Sequence, residues 1–111
     1  MRFFYVFNEG DELEPMGSPK SPRANWSKFL NQTVVVDTDS SYLYLGKLVE
    51  VTREFLSLED VDVHDTRDAQ STKEQYAIRA KQHGVFSNRK AVSIKTDKVI
   101  SLTLLSDIKE Y

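Results

Sequence analysis

From residue 33 onward, most apolar side chains recur at every second position, which is the period of a β-strand rather than of a helix. The first stretch, at 33–38, is rich in β-branched residues, and turn-forming residues follow it at 39–41. The pattern predicts five strands, at 33–38, 42–52, 55–64, 90–95 and 98–105. A tight turn at Thr96 and Asp97 joins the last two.

The alternation slips at two places in the second and third predicted strands. Gly46 lies where the apolar positions change parity between Leu45 and Leu48, and a glycine at such a slip is typical of a bulge or a sharp bend. The other slip falls at Glu59 and Asp60. Strands that bend in this way belong to small closed barrels more than to flat sheets. We therefore expect a mainly β fold.

Two helices are expected beside the strands. The first spans 25–31, with Asn25 as its N-cap and Trp26, Phe29 and Leu30 on one apolar face that packs against the barrel. It follows an arm, residues 1–24. Within this arm, residues 9–24 hold all three prolines and have no periodic pattern, whereas residues 2–7 are apolar enough for a short strand or a docking peptide. Residues 25–111 would then form the folded domain.

The second helix is predicted at 72–83, inserted between the third and fourth strands. Ser71 and Glu74 have the spacing of a capping box at its start, and Gly84 provides a stop at its end. Tyr76, Ala80 and, less clearly, Ala77 would face the body of the domain.

Composition and charge narrow the class of protein. A chain of 111 residues with 40% hydrophobic and 29% charged residues has room for one core. The absence of cysteine excludes disulfides and thiolate metal sites. No stretch approaches the roughly 20 apolar residues of a membrane helix, and the apolar run near the N-terminus is too short for a signal peptide. We therefore expect a cytoplasmic protein without membrane contact. The net charge is −2, but residues 71–111 carry eight basic and four acidic groups, so a local patch could attract phosphate.

The order of the elements and several local motifs resemble the Sm and LSm proteins and the bacterial protein Hfq. Leu30 with Val34 and Val36 matches the family's opening pattern, and Gly46-Lys47-Leu48 matches its Gly-x-Leu. An apolar third strand follows at 56–60. The second motif, Ile-Arg-Gly-Asp/Asn-x-Val, is matched at 94–99 with Lys in place of Arg and Thr in place of Gly. The chain is thus similar to a divergent member of this family.

This resemblance implies a five-stranded, strongly bent, Sm-like (SH3-like) barrel. It further implies a homo-oligomeric ring, in which the fourth strand of one subunit pairs with the fifth of the next, and a non-catalytic role in RNA processing or metabolism. The expected partner is single-stranded RNA, with DNA as an alternative, and no cofactor or metal is expected. One departure matters: the turn that carries Asp and Met-Asn in the family reads Thr52-Arg53-Glu54-Phe55 here. That difference speaks against the family's usual recognition of uridine.

The candidate site follows from the two turns. Basic groups would hold phosphates and an aromatic ring would stack on a base. The candidates for RNA contact are Lys95, Asp97, Lys98, Arg53, Phe55 and Tyr42, the last two for stacking. The competing interpretation is that these are ordinary polar turn residues. Similarly, Asn88-Arg89-Lys90 is either a second contact or a solvated entry to a strand.

Other functions remain as alternatives. The same barrel could be a protein-interaction module that uses its acidic middle, its inserted helix and its arm. Asp60, Asp62 and His64 would share one face of an undistorted strand and could hold a divalent cation, although such a row is more often a wet sheet face. His83 is better explained as a favourable partner of the helix dipole. The chain has no nucleophile elbow, P-loop or HExxH motif, so we expect no enzyme.

Overall fold

The computed structural model describes residues 22–68 and 70–110. These residues form one antiparallel five-stranded sheet with the strand order β4-β3-β2-β1-β5 and one α-helix. The elements in chain order are a 3-10 helix (Pro22–Phe29), β1 (Thr33–Thr38), β2 (Tyr42–Val51), β3 (Phe55–Asp65), a 3-10 turn (Thr66–Asp68), α1 (Lys73–His83), β4 (Arg89–Lys95), a 3-10 turn (Thr96–Lys98), β5 (Val99–Leu104) and a 3-10 turn (Leu105–Asp107). The mainly β fold with five strands and an inserted helix is thus confirmed. Residues 1–21, which hold most of the expected arm, lie outside the described residues.

The two predicted slips are confirmed and face each other across one strand pair. The pairing of β2 with β3 shifts between Leu45 and Lys47, where Asp62 and Glu59 are their partners. Asp60, inside this bulge, has a positive φ of 51°. A Cβ on Gly46 would lie 3.0 Å from the Glu59 carbonyl oxygen, so the close approach of the two strands requires glycine.

Buried side chains form two clusters on opposite faces of β1. Val34 and Val36 belong to the first cluster, which lies inside the bent sheet, whereas Val35 belongs to the second. The first cluster is completed by Leu48, Leu56, Leu58, Val61 and Ile94. The second contains Leu43 and Leu45 together with Ala77 and Ala80 of α1. Because alternate residues of a strand point to opposite faces, β1 is buried on both sides.

The N-terminal helix exists, but as a 3-10 helix that begins at Pro22. Trp26 and Phe29 pack against the first cluster as expected. Leu30 does not share their buried face, since it is 36% exposed, and Asn25 lies inside the helix rather than at its cap. Three residues per turn explain the difference, because residues three apart are then eclipsed and a residue four apart turns away.

The inserted helix is confirmed, but its capping box lies one residue later than predicted. Thr72 Oγ1 accepts from the Gln75 amide at 3.1 Å, and Gln75 Oε1 accepts from the Thr72 amide at 3.0 Å. Ser71 is instead buried, with no hydrogen-bond partner for its hydroxyl among the described residues. Both spacings satisfy the capping pattern, so sequence alone could not choose between them. Gly84 ends the helix with φ of 95°, as expected.

The C-terminal segment is fastened to α1. Leu105 and Ile108 pack on the second cluster. The Lys81 ammonium donates to the carbonyl oxygens of Ser106, at 3.1 Å, and of Ile108. None of the helices in the described ranges is long and apolar enough to cross a membrane.

Candidate nucleic-acid interface

Thr96 joins the two turns that hold most of the predicted contact residues. Its hydroxyl donates to the Arg53 carbonyl oxygen at 2.6 Å, and its amide donates to the Glu54 carbonyl oxygen at 2.9 Å. The side chain is buried, with 4% exposure. The β2–β3 turn is itself closed by Thr52, whose hydroxyl accepts from the Phe55 amide at 2.9 Å. We call residues 52–55 and 95–98 the paired turns, because these bonds fix one against the other.

An aromatic ring and an ammonium group lie side by side at this rim. Phe55 and Lys95 are directly opposite each other in the β3–β4 ladder, so their side chains share one face of the sheet. Both are exposed, Phe55 by 42%. The next pair, Leu56 and Ile94, is buried in the first cluster, which means that Phe55 and Lys95 point away from the core.

A groove of 450 Å³ extends from Lys95 towards the β1–β2 turn. The Asp39 amide donates to the Lys98 carbonyl oxygen at 3.0 Å, which brings this turn against the start of β5. The groove is lined by Thr38, Asp39, Ser40, Tyr44, Ser93, Ile94, Lys95 and Lys98. Two of the expected contact residues, Lys95 and Lys98, therefore share a concave surface. Arg53, Phe55 and Asp97 lie in the paired turns beside it.

Tyr44 is the aromatic residue that lines the groove, and it is not among the residues predicted from the sequence. Tyr42 does not line the groove; it lies at the start of β2, opposite Asp65. The two rings are neighbours, with centroids 6.2 Å apart. Burial, and to a lesser extent Tyr42, raise the pKa of Tyr44 above its ordinary value. The sequence places Tyr44 on the same strand face as Tyr42, because residues two apart on a strand share a face. It does not show that Tyr44 lines a groove together with residues of β4.

Charges of both signs surround the groove. Lys95, Lys98 and Arg53 are exposed, and so are the carboxylates of Asp39, Glu54 and Asp97. The paired turns and the groove are therefore not a uniformly positive patch. A phosphate would be held by individual ammonium groups rather than by the net charge of the surface.

Asp60, Asp62 and His64 do not form a common site, because the bulge at Asp60 breaks the alternation that would align them. Asp62 is 5% exposed and accepts from the Tyr76 hydroxyl at 2.5 Å. His64 stacks on the Tyr76 ring with centroids 3.6 Å apart. Within residues 22–68 and 70–110, no group of three or more His, Cys, Asp or Glu side chains is arranged to hold a metal ion.

Asn88 has a structural role that was not predicted from the sequence. Its amide nitrogen donates to the Val63 carbonyl oxygen at 3.1 Å, and its amide oxygen accepts from the Val63 amide at 3.0 Å. Arg89 and Lys90 follow as exposed residues at the start of β4, and His83 is exposed at the last position of α1.

Solved structures of an Sm and an Sm-like protein share this fold. The Sm protein of Pyrococcus abyssii in complex with a uridine heptamer aligns with a TM-score of 0.52 and 15% identity over 77% of this chain and 99% of that chain. An Sm-like protein from Archaeoglobus fulgidus gives 0.52 and 11% over 79% and 99%. A chain of the NatC complex bound to CoA gives 0.48 and 20% over 80% and 88%.

No protein-family model and no curated protein matches this sequence. At 11% to 15% identity, the two alignments above a TM-score of 0.5 concern the fold alone. Together with the bent five-stranded sheet, they show that this chain has a divergent Sm-like fold.

Proposed function

We propose that this protein is a non-catalytic Sm-like subunit that binds single-stranded RNA at the paired turns and the adjoining groove. The observation that carries the proposal is the pair of hydrogen bonds from Thr96 to the backbone of Arg53 and Glu54. They place basic and aromatic side chains from two separate turns on one rim. The Pyrococcus abyssii protein of the same fold, solved with a uridine heptamer, supports the choice of RNA.

The chemistry of the rim suits an unpaired strand. The ammonium groups of Lys95 and Lys98 can each contact a phosphate, and Phe55 offers an exposed ring beside Lys95. Stacking on a ring is tolerant of base identity. Since the turn 52–55 lacks the family's base-holding asparagine, we expect weak sequence preference.

The open edges of the sheet support assembly into a ring. β4 and β5 are the two outer strands, and each pairs with only one neighbour among the described strands. Pairing of β4 with β5 of another copy would remove both edges, and repetition of a head-to-tail contact can close into a ring. Each copy would then add its own lysines to a shared RNA-binding surface.

The test combines mass measurement with RNA binding. Light scattering after size-exclusion chromatography gives the number of subunits, and fluorescence polarisation of U-rich, A-rich and DNA oligonucleotides at two salt concentrations gives affinity. We expect a ring and salt-dependent binding, weakened at least about tenfold in the double variant Lys95→Ala, Lys98→Ala, with a shallower salt dependence. Lys109→Ala removes an exposed lysine outside the paired turns and the groove and is the control. Unchanged binding by the double variant would refute the proposed site.

A protein-interaction module is the second candidate. The departure at 52–55 and the strongly exposed Phe86, at 76%, favour it. In that case RNA affinity would be negligible at both salt concentrations, and substitutions on α1 rather than at Lys95 and Lys98 would abolish capture of the partner.

A further inference from the structure

Phe86 is an apolar side chain held out into solvent by a fixed loop. It is 76% exposed. The next most exposed large apolar residue in the described ranges, Ile100, is 65% exposed. The loop is anchored on both sides of it: Val85 packs on the second cluster, and the Asn88 amide donates to the Val61 carbonyl oxygen at 2.8 Å. The Phe86 side chain therefore has a defined position directly ahead of β4. Because its loop is already ordered, burying this side chain in a contact costs little conformational entropy.

A groove that could receive such a ring lies at the other edge of the sheet. It has a volume of 240 Å³, between the first turns of α1 and strands β1 and β5. Its apolar lining comes from Val35, Leu43, Ala77 and Ile108. The polar lining is Asp37, Lys73, Glu74, Ser101 and Thr103. An apolar floor with a polar rim is the usual anatomy of a pocket that takes one anchoring side chain.

Phe86 precedes one outer strand of the sheet, β4, and the groove is lined in part by the other outer strand, β5. Phe86 follows the C-terminal end of α1 and precedes β4, whereas the groove lies at the N-terminal turns of α1, beside β5. Ser101 and Thr103 face the groove, because Leu102 and Leu104, which alternate with them, pack on the first cluster instead. The two features are therefore placed for contact between copies.

Strand pairing would bring them together. In an antiparallel pair of β4 with β5 of the next copy, Arg89 at the start of β4 lies near Leu104 at the end of β5. Phe86 is three residues ahead of Arg89, a reach of about 10 Å in an extended chain. This distance extends past the end of β5 to the part of the groove that Ile108 lines.

The charges around the two features are complementary. Arg89 and Lys90, next to Phe86, are both exposed. On the groove side, the Lys73 ammonium is occupied by the Asp37 carboxylate at 2.5 Å. The exposed carboxylates of Glu74, on the rim, and Asp107, after β5, remain available. Opposite charges at the edge of a contact steer the two copies into one register.

We propose that Phe86 of each subunit docks into the α1–β5 groove of the next copy and thereby locks the ring. This inference rests on the proposed ring and adds to strand pairing a side-chain contact made by the inserted helix and its loop. It assigns the groove to one occupant, a second copy of this chain, and makes the contact heterologous, so that it can repeat around a closed ring.

Disulfide trapping tests the contact directly, because the chain has no cysteine of its own. The variant Phe86→Cys, Ile108→Cys is oxidised at low protein concentration and run on a denaturing gel, and Phe86→Cys, Asp107→Cys, at the exposed neighbouring residue, provides a second position. A disulfide requires Cα atoms within about 7 Å, so only close copies react. Each single-cysteine variant and the pair Phe86→Cys, Leu30→Cys are the controls, since Leu30 lies outside the groove lining.

The expected result is a ladder of cross-linked chains up to the ring size, at least about tenfold stronger than in any control. Light scattering on the same samples before oxidation separates the possible failures. A ring that gives no ladder with either cysteine pair would overturn this inference and leave the proposed ring standing. A monomer would overturn both, and a disulfide within one chain would overturn the contact between copies.

Discussion

Gly46 illustrates how the backbone, at the scale of one residue, sets the bend of the barrel. A Cβ at this position would meet the Glu59 carbonyl oxygen at 3.0 Å and the Val61 Cα at 3.2 Å, and neither atom can swing away as a flexible side chain would. We predict that Gly46→Ala lowers the free energy of unfolding by about 1–3 kcal/mol, measured by urea denaturation. Lys47→Ala, at the next and exposed position, should cost less than about 0.5 kcal/mol. Equal stabilities of the two variants would contradict the argument.

Tyr76 gives a second residue-scale prediction, through pH. Burial and the hydrogen bond to Asp62 raise the pKa of Tyr76 from its ordinary 10.0 to about 12. The unfolded chain therefore loses this proton first as the pH rises. The stabilisation is complete below about pH 10 and declines as the pH approaches 12.

Tyr76→Phe removes the titrating group and the donor to Asp62. We expect it to lower stability by about 1–3 kcal/mol at neutral pH, because the buried carboxylate loses a partner. The difference in stability between the native protein and the variant should shrink above about pH 10 in denaturation experiments. The control is Tyr42→Phe, whose side chain is 37% exposed. A difference that stays constant with pH would rule out the coupling.

At the scale of elements, Lys73 fastens α1 to the sheet. Its ammonium donates to the Asp37 carboxylate at 2.5 Å and to the carbonyl oxygens of Thr38 and Ser40 at 3.1 and 2.7 Å. We predict that Lys73→Met costs about 1–3 kcal/mol and increases hydrogen exchange in the first turn of α1. Arg79→Met, at an exposed position of the same helix, should leave both quantities nearly unchanged. If hydrogen exchange became faster in the later turns of α1 but not in its first turn, this role would be contradicted.

The sequence predicted these elements where burial leaves a local pattern. The strands could be located because alternate side chains are buried, and Ala77 and Ala80 could be placed because helical spacing puts them on one face. The choice between Ser71 and Thr72 as the cap was not predictable, since the two patterns differ by little energy. Tyr44 was missed because Lys95 and Lys98, which line the same groove, are far away along the chain and come near it only when the sheet bends.

For the whole molecule, the balance of charge limits RNA binding. The chain has a net charge of −2, and Asp39 lines the same groove as Lys95 and Lys98. A carboxylate there repels the phosphates that the two lysines would attract, and in a ring this repulsion is repeated in every copy. The proposed function therefore implies that Asp39 restrains affinity rather than contributing to it.

We predict that Asp39→Asn strengthens binding of a U-rich RNA about two- to fivefold at low salt. The amide keeps the size of the side chain, so the change removes charge with little effect on packing. The gain should diminish as salt increases, because ions screen interactions between exposed groups. Asp68→Asn removes an exposed carboxylate that does not line the groove and should have a smaller effect in the same polarisation assay. If the two variants gain equally, affinity depends on net charge alone; if Asp39→Asn weakens binding, the carboxylate contacts a base directly. Either result would overturn the assignment of Asp39, and only a gain specific to that position agrees with an RNA strand lying in the groove.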